Sequence, residues 1–170
     1  MKKLLALSAL LALAAASFAG EGFPDPNFFY EPASIGMFLP EDTEVTEEDG
    51  TTFFVSEGAP LGVIIALAEK AMKNADIIDE KKFTAALEDL GAFDIILRAY
   101  VPEGDLVYNT AAVKMKWDDG SIDEGFMVLL NSKAAKNKTF IVGIFVPELT
   151  DDYENPAFVA LETLSFGKAP

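Results

Sequence analysis

From Phe93 onward the chain is a succession of apolar stretches closed by turn chemistry: "FDIILRAYV", "PEGD", "LVYNTAAVKMKW", the turn Asp119-Gly120, "SIDEGFMVLL", the polar "NSKAAKNK", and "TFIVGIFV" ended by Pro147. Some of these stretches alternate apolar and polar residues and others are short continuous apolar runs. Those are the two patterns a strand leaves when one face or both faces are buried. Connections this short make successive strands antiparallel neighbours. The second half of the chain therefore predicts an antiparallel sheet, and the rest has to be arranged around it.

The first half adds strands and one helix. Asp49-Gly50, inside "VTEEDGTTFFV", is the strongest two-residue hairpin signal, because a type I′ turn needs positive φ at both central positions and Asp and Gly tolerate it. A strand over Thr51 to Val55 follows, "SIGMFLPED" reads as a short strand stopped by Pro40, and "LGVIIAL" reads as another before the helix-prone "AEKAMK". A helix over Glu80 to Leu90 is predicted by Asp79 as cap, Phe83, Leu87 and Leu90 on one face, Gly91 as stop, and an Ile78–Phe83 staple. A second helix starts at Asn155 as cap with Pro156 in its first turn, and presents Phe158, Leu161 and Leu164 inward. Upstream, "GEGFPDPNFFYEP" carries Pro24, Pro26 and Pro32 and reads as an extended arm over residues 20–33. Its aromatics Phe28, Phe29 and Tyr30 either pack on the body or offer a docking surface to a partner. The fold class expected is α+β, one domain over residues 34–170, with an antiparallel β-sheet flanked by two or three helices.

Export is read from the beginning of the chain. Lys2 and Lys3 precede the apolar run Leu4 to Ala16, and Ser17-Phe18-Ala19 supplies a small-x-small cleavage signal before Gly20. The run is too short for an anchoring span, so residues 1–19 read as a cleaved signal peptide and the protein as periplasmic or secreted, of bacterial type. Lys+Arg number 13 against 28 Asp+Glu, a formal charge of −15, and loss of Lys2 and Lys3 makes the body more acidic still. Such a body repels phosphate backbones and anionic lipid heads, which disfavours nucleic acid and membrane surfaces as partners. With neither His nor Cys in its 170 residues, the chain cannot build a Ser-His-Asp or Cys-His site or the usual zinc, haem or copper ligand sets. Neither GxxxxGK[ST] nor GxGxxG occurs, and no cofactor is implied. The sequon Asn137-Lys138-Thr139 reads as chance in a bacterial protein, and Lys133, Lys136 and Lys138 form a basic loop cluster.

The order of elements, and in particular Ser34 to Asp42 and Tyr153 to Phe166 with "YENPAFVALETLSF", resembles the PsbP/DcrB-like family of small exported α+β proteins. The resemblance implies an antiparallel sheet flanked by helices and a non-catalytic binding or assembly role for larger machinery at the envelope, with another envelope protein or complex as partner. It carries no functional residue over, because no motif position demands one.

"WDDGSIDEG", residues Trp117 to Gly125, crowds four acids together and raises the question of calcium. A two-residue turn at Asp119-Gly120 would pair Lys116 with Asp123, Met115 with Glu124 and Val113 with Phe126, gathering Trp117, Ile122, Val113 and Phe126 on one face. The spacing does not fit an EF-hand loop, because its first ligand position falls on Met115 or Gly120. No metal or catalytic residue is assigned. Glu124 is the misfit in this register: alternation points it to the apolar face, which marks a bulge or a functional carboxylate. Three functions stay open: a non-enzymatic envelope binding or assembly protein, a hydrolase of an extracytoplasmic polymer using two acids about 5 to 10 Å apart, and a divalent-ion binding protein.

Overall fold

A computed structural model describes residues 23–98, 107–131, 138–150, 152 and 154–166. The expected signal peptide over residues 1–19, the "PEGD" turn, Tyr153, Asn137 and the Lys133 and Lys136 of the basic loop lie outside the described residues. Strand β3 (Glu44–Glu48) turns into β4 (Thr51–Ser56), and β5 (Leu61–Leu67) follows. Two helices, α1 (Asn74–Ile78) and α2 (Glu80–Asp89), lead to β6 (Ala92–Leu97), β7 (Val107–Lys116), β8 (Ile122–Asn131) and β9 (Thr139–Val146). These strands form one seven-stranded antiparallel sheet in the order β3-β4-β5-β9-β8-β7-β6. The predicted I′ hairpin is there: Glu48 pairs with Thr51, and Asp49 and Gly50 have φ of 49° and 76°.

A second, three-stranded sheet departs from the expectation that helices alone flank the first. Its strands are β1 (Phe28–Tyr30), β2 (Ile35–Met37) and β10 (Ser165–Phe166), in the order β1-β2-β10. The arm is thus partly a strand, and Pro26 and Pro32 bound it on the edge position that proline allows. Asn27 extends the ladder with its side chain, donating to Leu39 O and accepting from Leu39 N, both at 2.8 Å. Helix α3 (Pro156–Glu162) leads into β10, and Thr163 Oγ1 accepts from Phe38 N at 2.9 Å, tying helix to sheet. The protein is more β-rich than the expected α+β layout, because β1 and β10 pair on either side of β2 and add a second sheet to the helices.

Alternation along the large sheet divides the core in two. On one face Phe54, Leu61, Val63, Ile65, Phe126, Val128, Leu130, Phe140, Val142 and Ile144 meet Ile35, Met37, Ala157 and Ala160 from the small sheet and α3. On the other, Val113, Met115, Met127, Leu129 and Phe145 meet Phe83 and Leu87 of α2. Helix α2 starts where predicted, with Asp79 Oδ1 accepting from Lys82 N at 3.0 Å, and stops at Gly91, whose φ is 93°. The Ile78–Phe83 staple does not explain the burial of Phe83, since Ile78 ends α1 and is largely exposed. In α3 the predicted cap holds: Asn155 accepts from Ala157 N at 3.0 Å. Its fully buried residues are Ala157 and Ala160, and Phe158 and Leu161 flank them half-buried.

Candidate functional site

The acidic hairpin Trp117 to Gly125 has a different register from the one expected. Trp117 N donates to Ser121 O at 3.0 Å and Gly120 N donates to Trp117 O at 2.9 Å, so the loop has three residues and Gly120, at φ 88°, supplies the bulge. One added loop residue shifts every pair by one: Lys114 pairs with Glu124, Met115 with Asp123 and Lys116 with Ile122. A one-residue shift moves side chains to the opposite face. Val113 and Phe126 accordingly lie in different cores, and Ile122 is exposed.

The same shift accounts for Glu124. Its Oε1 lies 2.9 Å from Lys114 Nζ and its Oε2 accepts from Leu149 N at 3.2 Å. The Lys114 hydrogen bond holds the Glu124 carboxyl below its ordinary pKa against the opposing effect of burial, and the Leu149 amide and the lysine charge add to it. The Lys114 ammonium is raised by the same pair. The neighbouring acids are also engaged. Asp123 Oδ2 accepts from Trp117 Nε1 at 2.7 Å, and Asp119 Oδ1 accepts from Ser121 Oγ and Ser121 N at 2.6 and 2.8 Å. Asp42, which accepts from Ser56 Oγ and Gly58 N, and Asp76, paired with Lys82, are likewise lowered. The Glu124, Asp119, Asp42 and Asp76 carboxyls are held ionised by donors, the opposite of the tuning that makes a carboxylic acid a proton donor. Among the described residues no group of three or more acids is placed to hold a metal ion.

Of the residues singled out in the arm, Phe28 and Tyr30 pack against the body, and Phe29 lies on the alternate face of β1. Phe28 meets Phe54 edge-on with centroids 4.7 Å apart, Tyr30 packs against the same core, and Phe29 is half-buried.

Two features escaped the sequence reading. The first is Arg98, after β6, whose guanidinium carbon lies 5.2 Å from the Phe126 ring and 5.7 Å from the Phe158 ring. Its Nη2 lies 3.1 Å from Glu162 Oε1 and its Nη1 is buried without a hydrogen-bond partner. This cation clamps α3 to the sheet, with the aromatic faces offsetting part of its desolvation. No local motif announces it, since its three partners are distant in sequence.

The second is an apolar strip on the large sheet. On the face that α2 covers at β6–β8, the strands β4 and β5 present Phe53, Val55, Gly62, Ile64 and Ala66, as the pairings Phe53 with Ile64 and Val55 with Gly62 require, and Ile64 packs against the edge of the core under α2. Val55 is 51% exposed, and Phe53, Ile64 and Ala66 are half-buried. A side chain added at Gly62 would meet nothing within 4 Å. Glu44 and Glu48 rise from β3 on this same face, opposite Val55 and Thr51. Against known proteins, the chain matches no family model and no curated protein. Among the described residues no helix is long and apolar enough to cross a membrane.

Proposed function

We propose that this is an exported, non-enzymatic binding or assembly protein of the bacterial envelope, in keeping with its resemblance to the PsbP/DcrB-like family. The observation that carries the reading is the uncovered strip at β3–β5. A sheet face bearing Phe53 and Val55 is ordinarily packed against another layer, and an apolar surface left open beside the core that Ile64 joins marks a place where a partner lands. Because the chain has no cysteine, a single Val55→Cys variant carries a unique label. In intact cells that thiol is expected to be shielded from a membrane-impermeant maleimide, and an Ile122→Cys control, exposed elsewhere, to react freely. Equal labelling at both positions would overturn the reading. Intact-mass measurement of the exported protein checks that it begins at Gly20.

A further inference from the structure

We infer that the strip on β3–β5 is the seat of a cationic amphipathic helix from another protein. The inference rests on the binding reading above and adds the chemistry of the partner. The three strands at roughly 4.8 Å spacing span about 10 Å, the diameter of one helix with its side chains, with the apolar residues on β4 and β5 and Glu44, Thr46 and Glu48 of β3 along the outer side. The neighbouring part of the same face already carries α2, which seats Phe83 and Leu87 on it, so a second helix beside α2 would continue a layer the protein has begun. Gly62, with open space above it, forms the floor of the strip.

Charge decides among occupants. Glu44 and Glu48 border the strip on the outer strand, four residues and so about 13 Å apart along β3. A helix lying along the strands would meet them with cations seven to nine residues apart on one flank, about 1.5 Å per residue. A second copy of this chain would bring two bodies of −15 charge together with like carboxylates at the rim, which opposes self-association.

The test uses the purified protein with an environment-sensitive fluorophore on Val55→Cys and two synthetic 18-residue helices, one Leu/Lys and one Leu/Glu, amphipathic alike. The Leu/Lys helix is expected to saturate the signal at micromolar concentration, to weaken with added salt, and to lose about tenfold in affinity on Glu44→Lys plus Glu48→Lys. Gly62→Lys, read by competition with the labelled protein, is expected to weaken binding comparably. Ile122→Lys is expected to leave it unchanged, and circular dichroism checks that each variant is folded. Equal binding of both helices, insensitivity to the rim charges, or a signal that rises with protein concentration alone through pairing of copies would overturn the inference. If neither helix binds while Val55→Cys is shielded in cells, the binding reading survives and the cationic-helix inference falls; if the thiol is freely labelled in cells, the binding reading falls.

Discussion

On the helix side of the large sheet, Val113, Met115 and Met127 of β7 and β8 are at most 5% exposed, whereas Val55 of β4 is 51% exposed and Phe53 and Ile64 beside it are half-buried. The residues at the two ends are of the same apolar kind. What separates them is connectivity. β5 and β6 are consecutive in sequence yet lie on opposite sides of β9, β8 and β7, so the segment between them must cross that face, and it carries α1 and α2 over β6–β8. No described element returns over β3–β5. On the opposite face the small sheet and α3 bury Phe54, Val63 and Ile65 from the same strands. A strand's sequence thus states how apolar its faces are, and topology decides which part receives a cover.

Two glycines flanking Phe145 give the largest contrast. Gly125 and Gly62 both pair with Phe145, but a Cβ on Gly125 would lie 1.9 Å from Ile144 O and one on Gly62 would touch nothing. Gly125→Ala is expected to destabilise by about 3 kcal/mol or more, because the clash is with backbone, and Gly62→Ala by less than about 0.5 kcal/mol in denaturant titrations. Equal effects would break the comparison between the ends. Next, Phe83→Ala removes a fully buried ring from α2 and is expected to cost about 3 to 5 kcal/mol, against less than about 0.5 for Val55→Ala. A large loss at Val55 would mean the strip is part of the folded core rather than a free surface.

The Arg98–Glu162 pair probes the other face. Glu162→Ala is expected to cost about 2 kcal/mol, because it leaves a guanidinium that is largely buried between two rings without its carboxylate. Adding Arg98→Met should recover most of that loss, since both charges are then gone. In the acidic hairpin, Glu124→Gln is expected to cost about 0.2 to 1 kcal/mol near neutral pH. Its carboxyl pKa is lower folded than unfolded, so its contribution is fully present above the unfolded value of about 4.3 and is lost as pH falls through the lower folded value. Wild type and Glu124→Gln should therefore converge in stability on acidification. A constant difference down to about pH 2 would refute the Lys114 assignment. Smallest of all, millimolar calcium or EDTA should shift the melting temperature no more than a monovalent salt of equal ionic strength, because Asp119, Asp123 and Glu124 already have protein donors. A calcium-specific rise abolished by Asp119→Asn would restore the ion-binding reading.

By itself the sequence determined those parts whose chemistry is local. The I′ hairpin at Asp49-Gly50, the Asp79 and Asn155 caps, the stop at Gly91 and the strands over β4, β5 and β7–β9 follow from φ preferences, hydrogen bonds to residues two or three positions away, and alternation. Tertiary structure alone decided the rest. Asp119-Gly120 is compatible with a two-residue or a three-residue loop, and the choice fell to the strand faces: the three-residue loop buries Val113 and Met115 under α2, Phe126 under α3, and places Glu124 against Lys114. The pairing of β2 with β1 and β10, the seat of Arg98 between Phe126 and Phe158, and the uncovered strip at β3–β5 join residues far apart in the chain. Such contacts form only when the whole chain closes, because their energy comes from burial between elements and not from preferences within one.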